Sequence, residues 1–308
     1  MGSMDRDRPG QADARDDRIE ESVWGVPASA LRPFIAGYSG FRQVGVPPAT
    51  HRGLPSPYLT VIFTLDDPLT VAAHADPRQP PASYRSLVGG LHTSPALITH
   101  QGRQSGIQLL LSPLGARALL GMPAAELANI DVEGSEVLGL LAQQIGDRIR
   151  AAADWPARFA VLDQVLTPRL IDPPIASGFA SRTSDEVGHV WRRLVASGGH
   201  GAVSELAAET GWSDRHLRSR FSDETGLTPK AAARVIRFDR TRRLLQRRTA
   251  AGSPLLLADL AADCGYYDQA HLAREFRDLA GLPPSAWLAE EFRNVQAPSA
   301  GALEVLLA

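Results

Sequence analysis

The chain has 308 residues, with 32 Lys and Arg against 34 Asp and Glu for a formal net charge of −2. That length suits two domains of about 100–200 residues each, and 44% hydrophobic with 21% charged residues excludes a disordered chain. No apolar run reaches the roughly 18–20 residues of a membrane span, no secretory signal opens the chain, and one cysteine, Cys264, excludes a disulfide framework or a Cys-rich zinc site.

These features predict a soluble, cytoplasmic protein without a membrane partner. Met1-Gly2-Ser3-Met4 reads as a scar ahead of a second start methionine, and the polar stretch to Glu21 is expected to be mobile. From Tyr38 to Leu111, short β runs separated by Gly and Pro predict a sandwich or small barrel. The clearest are Tyr58–Leu65, Leu69–Ala73, Arg85–Leu91, Ala96–His100 and Gly106–Leu111. Helices are expected over Pro113–Leu120, Val137–Ala152 and Pro156–Leu170, the last burying Val161, Leu162, Val165 and Leu166. Asp172–Glu186 is rich in Pro, Gly and Ser and reads as a linker. Helices follow to about Phe292, and Asn294–Ala308 is expected to be loosely ordered.

An internal repeat dominates the second half. Val203–Pro229 (VSELAAETGWSDRHLRSRFSDETGLTP) and Leu257–Pro284 (LADLAADCGYYDQAHLAREFRDLAGLPP) align Leu206 with Leu260, Gly211 with Gly265, Trp212 with Tyr266 and Asp214 with Asp268. After one inserted residue, His216 pairs with His271, Leu217 with Leu272 and Phe221 with Phe276. Each copy reads as a short helix, a Gly turn, a Ser or Asp cap and a second helix. Leu217 and Phe221 share the buried face of that helix, and Arg215, Arg218, Ser219 and Ser222 share another. This is helix-turn-helix grammar, and in that motif the second helix enters the major groove. Lys230–Arg248 between the copies predicts a rigid spacer helix. Arg215–Arg248 holds 11 basic and 3 acidic residues, a local +8 hidden by the net charge.

These residues resemble the DNA-binding domain of AraC-type transcription regulators, most specifically in Gly265–Phe276 (GYYDQAHLAREF) followed by Gly281-Leu282-Pro283-Pro284. The first half resembles, less specifically, the cupin-like sensor domains that precede this module, with Gly106–Leu120 its most family-like part. The resemblance implies an α+β architecture. A cupin-like β-barrel or sandwich with helices would span 22–172, and an all-α domain of two helix-turn-helix units joined by a long helix would span 185–293. It implies that both recognition helices enter successive major-groove segments of double-stranded DNA. Base-facing candidates are Arg215, Arg218 and Ser219, with Gln269, His271 and Arg274 in the second copy; His271 could equally cap or pack. Lys230, Arg234, Arg237, Arg240 and Arg243 are phosphate candidates, restricted to those off the buried face. His216 and Cys264 read as packing residues.

The expected function is thus a sequence-specific transcription regulator controlled by a small-molecule effector or by dimerisation. A homodimer through the helices near 137–170 would align two modules, and RNA polymerase is the further partner if the regulator is an activator. The alternative is a cupin-type metalloenzyme or metal sensor fused to a DNA-binding module. His51, His74, His92 and His100 lie in or near the β region, but no His-x-His occurs and no Glu stands between His51 and Leu120. No metal, cofactor or catalytic residue is therefore expected. If the barrel holds a pocket, Phe63, Leu65, Leu109 and Leu111 are its candidate walls, unless they simply fill the core.

Overall fold

The computed structural model describes residues 18–172, 183–252 and 256–294. Most of the expected linker and the expected loose tail beyond Asn294 fall outside the described residues.

The first half carries ten strands: β1 (Ile19–Gly25), β2 (Ile35–Val44), β3 (Ala49–Gly53), β4 (Leu59–Thr64), β5 (Leu69–Ala73), β6 (Ala82–Tyr84), β7 (Ser86–Gly89), β8 (Ala96–His100), β9 (Arg103–Leu111) and β10 (Asp131–Glu133). They form two antiparallel sheets, ordered β1-β2-β9-β4-β7-β10 and β3-β8-β5-β6. All five predicted runs are strands. Ile19–Glu21, expected to be mobile, begins β1 instead. The long strand β2 escapes a propensity reading because Gly37 and Gly40 interrupt it. Both glycines are needed, since a Cβ on Gly37 would meet the Trp24 indole at 2.0 Å and one on Gly40 the Trp155 ring at 2.4 Å.

Three helices back the larger sheet: α1 (Pro113–Leu120), α3 (Leu140–Ala151) and α4 (Trp155–Ile171). Ser112 caps α1 and Gly121 ends it in the left-handed conformation. The expected single helix over Val137–Ala152 is instead α2 (Gly134–Leu138) and α3, divided at Gly139 with φ +59°. Asp163 ties α4 to the sheet by accepting from the Tyr38 hydroxyl and the Ala28 amide, both at 2.9 Å. Residue alternation then divides the strands. Leu59, Val61 and Phe63 of β4, with Ile107, Leu109 and Leu111 of β9, pack into the core beneath these helices. Ile62 turns the other way, into a smaller cluster with Leu69, Val71 and Tyr84 of the second sheet.

The second half is helical: α5 (Asp185–Ala196), α6 (Val203–Thr210), α7 (Asp214–Thr225), α8 (Pro229–Ala250), α9 (Leu257–Asp263), α10 (Gln269–Ala280) and α11 (Pro284–Asn294). Leu217 and Phe221 are fully buried in one unit, as are Leu272 and Phe276 in the other. Phe221 stacks on Trp191 of α5, and Phe276 lies between Phe238 of α8 and Trp287 of α11. Each α11 or α5 helix thus closes the core of one unit, and α8 joins the two.

The halves dock on both units. Arg117 of α1 grips Glu224 of α7 through two guanidinium nitrogens at 2.8–2.9 Å, and Thr183 adds a third donor to that carboxylate at 2.8 Å. Arg52 of β3 reaches Glu290 of α11 at 3.1 Å. Buried apolar side chains form one contiguous cluster through both halves.

Candidate nucleic-acid interface and inter-sheet cavity

The two units share their turn chemistry. Ser213 caps α7 by accepting from the His216 amide at 3.3 Å, and Asp268 caps α10 by accepting from the His271 amide at 2.6 Å. In each, the turn aromatic meets the histidine of the following helix edge-on: Trp212 with His216 at 4.7 Å and Tyr266 with His271 at 5.2 Å. The caps fix the alignment of the repeat. Ser213 corresponds to Asp268, so the extra residue of the second copy is Tyr267 in the turn itself, not a residue inside the helix. Tyr267 is 93% exposed, the largest exposed aromatic among the described residues. The sequence reading passed over it, although the insertion was visible.

On α7, Arg215, Arg218, Ser219 and Arg220 are all exposed. On α10, Gln269 and Arg274 are exposed, whereas His271 is half-buried and its Nδ1 accepts from the Tyr267 amide at 3.3 Å. His271 therefore caps and packs. Between the units runs a groove of about 630 Å³ that brings Lys230, Arg234 and Arg237 of α8 against His271 and Arg274.

The spacer helix is less free than its charge suggests. Arg234 and Arg237 both bind buried Glu275 of α10, at 3.0 and 2.8 Å, and Arg237 also lies over the Tyr266 ring at 4.9 Å. Arg242 and Arg243 share Asp239 at 2.6 and 2.7 Å, and Arg248 pairs with Asp263. Five basic residues of the +8 stretch are thus internally compensated. Arg243 leaves the phosphate set: it is buried, and its guanidinium is committed to Asp239. Lys230 and Arg240 are exposed and remain.

Residues 206–290 match the family described as Helix-turn-helix domain, and residues 26–133 match a domain of unknown function (DUF6597). The HTH-type transcriptional activator RhaR of Escherichia coli (strain K12) is 31% identical over 86 residues, covering 28% of this chain and 29% of that protein. The chain thus matches less than a third of the length of these curated relatives. Residues 206–290 thus carry a helix-turn-helix domain. Among solved structures, a probable AraC family transcriptional regulator from Rhodopseudomonas palustris CGA009 is 29% identical, covering 34% of this chain and 96% of that one, with a TM-score of 0.31. ToxT from Vibrio cholerae covers 82% of this chain and 97% of its own at 8% identity and a TM-score of 0.48.

The helical half also helps to enclose a cavity in the first half. Between the sheets, a space of about 300 Å³ is walled by Trp24, Phe41, Ile62 and Leu110 on one side and His51 and Ile98 on the other. Arg242 and Gln246 of α8 and Glu291 of α11 close its end. The walls expected from the sequence are corrected by alternation: Phe63, Leu109 and Leu111 sit on the helix-facing side of the same strands, and Leu65 packs against that core. A second space of about 310 Å³ shares Phe41, Leu69 and Gln104 with the first.

The β-region histidines have separate surroundings. His74 is buried against Asp131 at 2.8 Å. His92 turns its Nδ1 to the Ser94 carbonyl, and His51 and His100 meet at 6.4 Å on paired strands. Among the described residues, no group of three or more His, Cys, Asp or Glu could hold a metal. Cys264 is buried at the end of α9, where burial pushes its thiol pKa up.

Burial, with the nearby His100, lowers the His51 pKa from 6.5 to about 4. An unfolded chain takes up this proton near pH 6.5 and the folded chain only near 4, so this contribution to stability is complete above 6.5 and lost as the pH falls through that window. The expected loss is up to about 3 kcal/mol. Urea midpoints for the protein and His51→Gln should agree near pH 7, apart from a constant offset, and diverge toward pH 4.

Proposed function

We propose that the chain is a cytoplasmic, non-enzymatic transcription regulator of the AraC type, with a cupin-like sensor over 22–172 and a DNA-binding module over 185–293. The observation that carries the reading is the pair of capped helix-turn-helix units on one spacer helix, with the arginines of α7 exposed. Arg215, Arg218 and Ser219 read bases from α7, and Gln269 and Arg274 do so from α10. Lys230 and Arg240 hold phosphates, and the exposed phenol of Tyr267 adds a contact beside the start of α10. The inter-sheet cavity, which touches α8 and α11, supports control by a small molecule. A homodimer and contact with RNA polymerase extend the same reading, given that the RhaR relatives are named as activators.

DNA titrations test it. Arg218→Ala should weaken operator binding by ~1–3 kcal/mol and relax preference at one base pair, as loss of a bidentate guanine contact does. It should cost more than Arg274→Ala, because α10 has acidic neighbours and depends on the first unit for affinity. The reverse order would remove this asymmetry. Lys230→Ala should weaken all sequences alike and flatten the log–log salt slope by about 0.9. An unchanged slope rules out its phosphate role.

A further inference from the structure

We propose that Arg117 and Arg52 are positioning residues for DNA recognition: through them, the two sheets of the first half set the spacing at which the two recognition helices read DNA. The inference rests on reading α7 and α10 as base-reading helices and adds what orients them. The repeat places one glycine after each helix, Gly226 after α7 and Gly281 after α10, both left-handed C-caps. Each cap lies against the first half. A Cβ on Gly226 would stand 2.5 Å from the Ala128 Cβ and 3.2 Å from the Ala125 Cα, and one on Gly281 would meet Arg52 Nη1 and Pro95 Cγ at 3.4 Å. An ion pair backs each contact: Arg117 with Glu224 of α7, and Arg52 with Glu290 of α11, the helix that closes the second unit.

The two grips belong to different sheets. Arg117 stands on α1, directly after β9, and Ala125 and Ala128 lie just before β10. There the Asn129 amide donates to the Leu91 carbonyl at 2.9 Å, close to the end of β7. Strands β7, β9 and β10 are all in the larger sheet. Arg52 is in β3 and Pro95 precedes β8, which are paired in the smaller one. The cavity lies between these sheets, and Arg52 is one of its walls, so a change in sheet separation reaches the ends of the recognition helices. Leverage makes small shifts count. Each recognition helix has 12 residues. At 1.5 Å per residue that is about 18 Å, and a tilt of ~10° about the C-cap moves the far end by about 3 Å. That approaches the ~3.4 Å between successive phosphates of one strand, and the N-terminal residues are the ones that meet base edges. The grips are unequal, since Arg117 and Glu224 are buried and bidentate whereas Arg52 holds Glu290 by a single, more exposed bond of 3.1 Å.

Titrations of the full chain on its selected DNA test this, with the two elements at the selected spacing and with one base pair added or removed. The parent should lose about tenfold in affinity when the spacing changes, the magnitude of one mismatched pair. Arg117→Met and Arg52→Met drop the charge and keep most of the bulk. Each should lose only about threefold or less, with base preference inside each element kept. If Arg117→Met fails to fold, Arg52→Met decides alone. Arg52→Lys keeps a donor for Glu290 and should return toward the parent's discrimination. Parent-like discrimination in either folded Met variant, or an equal loss at every spacing, overturns the proposal. Enrichment of no DNA by the parent removes the reading of α7 and α10 along with it, whereas enriched elements with an unchanged spacing preference remove this inference alone.

Discussion

Glu275→Ala is expected to destabilise the C-terminal half by about 3–5 kcal/mol, the cost of stranding buried charge. Glu275 is 5% exposed and holds two guanidiniums, Arg234 and Arg237, on the face of α8 that meets α10. Arg234 retains a 3.5 Å contact to Asp278, but Arg237, only 15% exposed in its side chain, keeps just the Tyr266 ring. The carboxylate therefore sets how the second recognition helix sits on the spacer. A DNA consequence follows for Glu275→Ala at temperatures where it is folded: tolerance of altered spacing between the two recognised elements, with base preference within the first element kept. Pairing Glu275→Leu with Arg237→Met should recover much of the stability, because an apolar replacement of a buried pair strands no charge. Denaturant midpoints of the single and double variants separate the two terms.

Arg117→Ala is expected to have an effect of similar size, about 3–5 kcal/mol, at the contact between the halves. Glu224, 6% exposed on α7, would keep the Thr183 hydroxyl but lose its bidentate guanidinium. The reach of this loss differs from that of Glu275. It should loosen the sensor from the first recognition helix and leave the interior of the helical half intact. The expected signature is an unfolding profile that splits into two transitions where the parent shows greater coupling. Glu224→Gln should also cost stability, since its amide keeps one acceptor oxygen, turns an NH2 toward a guanidinium donor and leaves the Arg117 charge uncompensated. A single unshifted transition in Arg117→Ala would contradict the docking described here.

The helical half was legible because its determinants are local. Gly211 and Gly265, the caps Ser213 and Asp268 and the pairs Leu217/Phe221 and Leu272/Phe276 lie within a few residues of one another, and the repeat states them twice. The cap chemistry then corrected the register, moving the insertion to Tyr267. Long-range pairing was the part hidden from the sequence. The +8 of 215–248 looked like a free basic stripe, yet Glu275 stands 41 residues from Arg234 and neutralises it. In the β half, alternation has period two, so a displacement of one residue exchanged core for cavity: Phe63 and Leu109 face the helices while Ile62 and Leu110 line the space. Strand β2 was missed where Trp24 and Trp155 lie on its glycines, a contact that no local propensity encodes. Gly139 divided a helix whose apolar period had run through it.

In-vitro selection of bound DNA from a random pool, followed by footprinting of the winners, tests the central claim most directly. Two recognition helices on one rigid spacer predict an enriched site of two elements about one helical turn, ~10 base pairs, apart, protected on one face over about two turns. A homodimer would repeat that pair. Enrichment of no sequence, or of a single short element indifferent to Arg274→Ala and Gln269→Ala, would contradict the account.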